Sequence, residues 1–118
     1  MRYVESELEV LDTKTELIWQ REFVENLTYN EALEHAECVS QETGLTWRVP
    51  TIEELLSLVE YGHLKPASSF PDMPKLAFWS SSPYVDSTLS AWYVGFNDGV
   101  VNGGSRDYSI AVRLVRGG

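Results

Sequence analysis

The alternation of apolar and polar positions predicts an early hairpin, two capped helices and a strand-rich second half. Val10 and Leu11, a polar turn of Asp12, Thr13, Lys14 and Thr15, and then Leu17, Ile18 and Trp19 have the pattern of a hairpin over 10–21. Thr28 with Glu31 three residues later forms a capping box, and Leu27 just before it is placed to pack on Ala32. Tyr29, Ala32, Leu33, Ala36 and Val39 then share one side of a helix running to about Gln41, with Gly44 as its stop. A second capping box, Thr51 with Glu54, follows Trp47, Arg48, Val49 and Pro50, where proline ends a strand-like run. Ile52, Leu55, Leu56 and Val59 give this second helix its apolar stripe as far as about Glu60.

Beyond it the helical period is lost. Pro66, Pro71 and Pro74 punctuate a long loop over 61–76. Strand-like runs follow at 78–82, 91–96, 100–102 and 108–116, with Asp98 and Gly99 marking a tight hairpin turn. In the last run Tyr108, Ile110, Val112 and Leu114 alternate with Ser109, Ala111, Arg113 and Val115, the period of a single strand. Helices early and an antiparallel sheet late predict an α+β fold. At 118 residues the chain is expected to form one domain, 1–118, whose 43% apolar content suffices for a core without metals or disulfides.

The order of motifs resembles that of a known family. T-x-x-E-A-L in the first helix, W-R-V-P-T-x-x-E-L-L-S-L-V, F-W-S-S-S, A-W-Y-V-x-F-x-D-G-x-V-N and a closing V-R-x-V-R-G-G look like the Lcl C-terminal domain family, over about 11–118. The resemblance implies bacterial or phage modules with a compact fold similar to C-type lectins and to the formylglycine-generating enzyme. It assigns structural positions to Trp47, Arg48, Pro50, Glu54, Leu55, Trp79, Ser80, Ser81, Trp92, Phe96, Gly99, Val112, Arg113 and Arg116. Where relatives commonly carry a cysteine pair, this chain has Ala36 and Leu114. Both are apolar and on predicted core faces, so the expectation is a packing contact in place of a disulfide.

Charge narrows the partners. Residues 1–62 hold fourteen Asp/Glu against four Lys/Arg, whereas 63–118 hold four against five, so the net −9 belongs to the first half. Such a surface repels nucleic acid and anionic membranes and favours basic partners. Cys38 is the only cysteine, and the N-terminus, MRYVESELEVLD, has neither a signal core nor a transmembrane run. The expectation is a cytoplasmic protein without disulfides, in the host cytoplasm if phage-encoded.

Catalytic motifs are missing: there is no G-x-S-x-G, H-E-x-x-H, Gly-rich phosphate loop or paired cysteines. Cys38 sits among glutamates that disfavour a thiolate, and neither His35 nor His63 has a sequence partner suggesting a ligand set. Of the E-P-N and W-N-D stretches seen in calcium-dependent lectins, only Asn97 and Asp98 echo, and Gly99 makes them a turn. The expectation is no enzyme, no metal and no cofactor. Trp19, Trp47, Trp79 and Trp92 lie among apolar neighbours and are expected in the core. Tyr84, Tyr93 and Tyr108 are expected at the surface, and Arg113 and Arg116 are expected to tie the sheet to the acidic half. Asn26, Leu27 and Thr28 match a glycosylation acceptor, but Thr28 is committed as a cap.

Two functional readings remain. One is a non-catalytic recognition module that binds a protein or glycan through the 81–108 surface, using Ser82, Tyr84, Asn97, Asn102, Ser105, Arg106, Asp107 and Tyr108. The alternative is a small phage-type inhibitor whose acidic helix face, Glu31, Glu34, Glu37 and Glu42, occupies the basic nucleic-acid groove of a host complex. A domain of an adhesin is a third, weaker option. Relatives implied by the resemblance include binders of sulfated polysaccharide, which needs a basic surface. The acidic balance therefore predicts no retention on a heparin column at physiological salt; retention there would overturn this reading of the charge.

Overall fold

The computed structural model describes residues 2–60, 68, 70, 71, 73–83 and 89–117. Among these the chain forms eleven elements: β1 (Tyr3–Glu5), β2 (Glu9–Asp12), β3 (Leu17–Gln20), β4 (Val24–Leu27), α1 (Tyr29–Thr43), α2 (Ile52–Leu56), β5 (Ala77–Pro83), β6 (Ser90–Gly95), β7 (Val100–Ser105), β8 (Ile110–Val112) and β9 (Val115–Gly117). The α+β class is as the sequence predicts, with the strands sorted into two sheets. One has the order β1-β2-β3-β9, the other β4-β8-β5-β6-β7. All pairings are antiparallel except β5 with β8, which run parallel with Phe78 opposite Ala111.

Both predicted capping boxes are present. Thr28 Oγ1 accepts from Glu31 N at 3.3 Å while Glu31 Oε1 accepts from Thr28 N at 2.9 Å, and Thr51 and Glu54 repeat the arrangement at 3.2 and 2.8 Å. Gly44 ends α1 in the left-handed region, φ 74°, with its N–H on the Ser40 carbonyl. Of the α1 stripe, Tyr29, Ala32 and Ala36 are buried, whereas Leu33 is exposed. The second helix is shorter than its pattern: α2 stops at Leu56 rather than near Glu60. Ser57 Oγ donates at 2.6 Å to the Glu54 carbonyl, the acceptor Leu58 N would take in a continued helix; Leu58 N donates instead to the Leu55 carbonyl at 3.0 Å, and Arg2 donates to the Ser57 carbonyl at 2.5 Å.

Two cores lie on opposite faces of the second sheet, because neighbouring residues of a strand point opposite ways. Phe78 and Val94 belong with Val10, Trp19, Leu55, Leu58 and Phe96 in the core between the two sheets and α2; Trp79 and Ala91 belong with Tyr29, Ala32, Ala36 and Trp47 under α1. Ala36 and Leu114 are both buried in this second cluster, so the two positions expected to pack in place of a disulfide are apolar core. Trp19, Trp47 and Trp79 are buried as expected, but Trp92 is only half-buried, near the open end of β6.

The last run is not one alternating strand. Ala111, Val112, Arg113, Leu114 and Val115 are all buried, because the chain leaves the second sheet after Val112 and joins the first at Val115. Arg113 places its guanidinium 4.4 Å from the Phe70 ring centroid and near the rings of Phe23 and Phe78. Arg116 does reach the acidic half, bonding Glu9 at 2.9 Å. The predicted loop over 61–76 falls largely outside the described residues; within it Ser68, Phe70 and Met73 are buried.

Two bidentate pairs fasten the chain's extremities. Arg2 holds Asp12 at 3.0 and 2.9 Å, and Arg48 holds Glu54 while also donating to the Gly117 carbonyl at 3.0 Å. Burial pushes both carboxyls up, but the arginine and backbone hydrogen bonds outweigh it and hold each below its ordinary value. A lowered carboxyl pKa in the folded state contributes stability that is complete above the unfolded value and is lost as pH falls through the folded one. Unfolding free energy should therefore be flat above about pH 5 and fall steadily below it. The Arg48 side chain is partly exposed and screened, so Arg48→Ala should destabilise by about 1 kcal/mol at neutral pH and shrink the acid-side loss. Urea titrations from pH 3 to 7 check this; an unchanged midpoint in the variant would show the pair to be inert.

Candidate functional site

Of the predicted loop surface, Ser82, Ser105, Arg106, Asp107 and Tyr108 gather at one end of the β6–β7 hairpin, and Asn97 and Asn102 lie away from it. These strands pair from Ser90 opposite Ser105 to Gly95 opposite Val100, around a turn at 96–99. Asp98 Oδ1 accepts from Val100 N at 3.0 Å and Gly99 takes φ 80°, which is why Asp-Gly suits this turn. Asn97 is exposed on the turn, about 17 Å along the hairpin from Ser105. Ser82, beside the Pro83–Ala91 pair, lies at the Ser105 end, and Asn102 sits midway along edge strand β7 opposite Tyr93. Tyr84 is outside the described residues.

Several of these polar groups are engaged locally. Ser82 Oγ accepts from Ile52 N at 3.0 Å at the start of α2, and Ser105 Oγ accepts from Asp107 N at 3.2 Å. Arg106 is a clamp: its Nε donates to the Ser90 carbonyl at 3.1 Å, and its guanidinium lies 4.6 Å from the Tyr29 ring centroid. Its backbone joins the Leu89 carbonyl and Tyr29 N at 2.9 and 3.0 Å. Tyr29 in turn donates its hydroxyl to the Ser81 carbonyl at 2.9 Å, so the first turn of α1 is fixed to this end of the sheet.

Exposed on this frame are Asn102, Asp107 and Tyr108, the last 52% exposed. Gly104 makes the placing of Tyr108 possible. A Cβ there would lie 2.7 Å from Cε2 of Tyr93 and 2.8 Å from Cδ2 of Tyr108, so only glycine lets the two rings close over the strand. Tyr93 is thus half-buried, packed edge-on to Trp79 at 6.0 Å, rather than a free surface tyrosine.

The acidic face is real but not uniform. Glu31, Glu34, Glu37 and Glu42 are all exposed on α1, a helix without a single Lys or Arg. Glu31 is occupied by its capping box, which leaves Glu34, Glu37 and Glu42 as carboxylates with no ion pair among the described residues.

A concavity that the sequence pattern does not announce runs beside this face. His35, Val39 and Thr43, four residues apart on α1, form one wall of a groove of about 330 Å³ whose other sides include Leu8, Phe23, Val24, Leu45 and Trp47. Glu9, Gln20 and Glu22 supply its polar rim. The signal in the sequence was three isolated apolar residues, Leu8, Val24 and Leu45, outside any periodic stretch. Nothing local shows that they converge.

The Arg48 guanidinium is engaged with Glu54. Cys38 is an exposed free thiol, and no group of three His, Cys, Asp or Glu able to hold a metal ion is found among the described residues. Among those residues, no helix is long and apolar enough to cross a membrane. A comparison with curated proteins finds no match. The model of the Lcl C-terminal domain matches residues 8–116, from the residue before β2 into β9, and so takes in both capping boxes and both sheets apart from β1. The chain belongs to the Lcl C-terminal domain family.

Proposed function

We propose that this domain is a non-catalytic recognition module that binds a protein or glycan through the end of the second sheet carrying Asp107 and Tyr108, with Asn102 farther along edge strand β7. The observation that supports it is the mounting of Tyr108: a half-exposed aromatic ring held over Gly104 and next to the Arg106 clamp. An aromatic side chain immobilised before binding loses little conformational entropy when a ligand covers it. Asp107 adds hydrogen-bonding groups at the same end, and Asn102 adds them midway along β7. The reading includes work in the cytoplasm, supported by the free thiol of Cys38 and by apolar Ala36 and Leu114 where relatives carry cysteines.

A second reading has its own support. Glu34, Glu37 and Glu42 present unneutralised charge on one exposed helix, which suits a protein that masks the basic surface of a nucleic-acid-binding partner. Recovery of partners on the tagged protein from its native cell, together with glycan-array binding, separates the two. Tyr108→Ala and Gly104→Ala, the second through displacement of the Tyr108 ring, should each weaken the retained interaction about tenfold, and Glu34→Lys/Glu37→Lys/Glu42→Lys should leave it intact. The opposite outcome supports the acidic face. Glu31 and Arg106 are unsuitable test positions, since one caps α1 and the other clamps it to the sheet.

A further inference from the structure

We infer that the groove between α1 and the β3–β4 connection is a docking site for a basic amphipathic segment of another protein, one that seats apolar side chains against Leu8, Val24, Val39 and Leu45 and sets Lys or Arg against the glutamates on its rim. This goes beyond the Tyr108 reading and does not depend on it. It also differs from the acidic-face reading, because here the anchor is apolar.

The floor of the groove is the first reason. Leu8 is 72% exposed, Leu45 41% and Val24 38%, and none belongs to either core. Single exposed leucines are ordinary. These three come from chain-distant places, before β2, after α1 and at the start of β4, and they meet in one concavity. The backbone fixes these positions: Arg21 N donates to the Leu8 carbonyl at 3.0 Å, Leu45 follows the Gly44 cap, its carbonyl accepting from Trp47 N at 3.2 Å, and Val24 pairs with Val112 of β8. A preformed apolar concavity that the fold holds open is an interaction surface rather than unused core.

Charge selects the occupant. Glu9 and Glu22 line the groove, and a neighbouring concavity sharing Glu22 and Phe23 adds Glu7. The nearby cations are engaged: Arg21 with Glu5 at 3.2 Å and the Ser6 carbonyl, and Arg116 with Glu9 at 2.9 Å over the Trp47 ring. With Glu31 and Glu42 on the adjoining helix, the surroundings are net negative. Nucleic acid, anionic lipid and sulfated glycan are repelled, and a cationic segment is attracted. Size points the same way. His35 to Thr43 spans about 12 Å, two helical turns, which matches the spacing of successive anchors on a helix laid in a groove. The volume is at the small end for a ligand site and suits a few side chains.

The test uses a fluorescein-labelled 18-residue peptide of Leu and Lys at helical spacing, with its Leu and Glu counterpart, in anisotropy titrations at low and physiological salt. The lysine peptide should bind, and the glutamate peptide should not. Leu8→Glu and Leu45→Glu, both at exposed positions and checked for folding by circular dichroism, should each weaken binding at least about tenfold. Glu22→Lys should weaken it several-fold, and Tyr108→Ala should have no effect. Amide shifts in NMR spectra should cluster at residues 8, 24, 39 and 45. The inference is overturned if the lysine peptide does not bind, if both peptides bind alike, or if the leucine variants bind normally. In that last case, loss in Glu34→Lys/Glu37→Lys would leave the acidic-face reading standing, and loss in Tyr108→Ala would leave the loop reading standing.

Discussion

Five consecutive buried residues, 111–115, belong to both sheets at once, and the other elements are arranged to cover them. Ala111 and Val115 lie in the core between the sheets, whereas Val112 and Leu114 lie in the core under α1. Arg113 between them is accommodated by the faces of aromatic rings, an environment a guanidinium tolerates better than an ammonium because it is delocalised and weakly hydrated. A segment buried on all sides has to be covered on all sides. That explains why a chain of this length needs two sheets and a helix layer. It also explains why Arg48, whose backbone exchanges both hydrogen bonds with Val115, is anchored a second time through Glu54 and the Gly117 carbonyl.

This construction leaves polar and charged side chains at the ends of the molecule outside the two cores. At one end the polar residues that resemble an adaptable binding surface are partly consumed in holding the fold. Ser82 caps α2, Ser105 shapes a turn, and Arg106 joins α1 to β6. What they gain for function is rigidity, since Tyr108 is presented on a clamped turn instead of a free loop. On the other side, α1 covers its core with only three buried side chains, Tyr29, Ala32 and Ala36. Small alanines let the helix sit close to the sheet, and its flank at His35, Val39 and Thr43 is left over as the wall of a groove.

Acidity acts at a longer range than either surface. Most of the glutamates are exposed, make the surface of the first half acidic, and have little part in the fold. The few carboxylates with structural duties are recognisable by their partners: Asp12 and Glu54 in bidentate pairs, Glu31 in its cap, and Glu9 and Glu5 bound to arginines. The distinction matters for any substitution in the acidic half, because a charge that looks like part of a face can be part of a fastening.

By itself the sequence determined what depends on near neighbours. The two capping boxes, the Gly44 stop, the β2–β3 hairpin and the Asp98-Gly99 turn are each decided by hydrogen bonds or backbone preferences within a few residues, and the motif order carried the family. What depends on distant residues was decided only in three dimensions. β1 and β4 lie at sheet edges and have mostly exposed side chains, so no alternation marks them. The end of α2 is tied to Arg2, fifty-five residues before Ser57, which donates to the Ser57 carbonyl. The closing run breaks its period because it is covered by two cores, and Leu8, Val24 and Leu45 become one groove only when α1 and the strands bring them together. Periodicity reports how a segment meets a single surface; where several elements meet one segment, or several segments meet one ligand, the chain has to fold before the pattern exists.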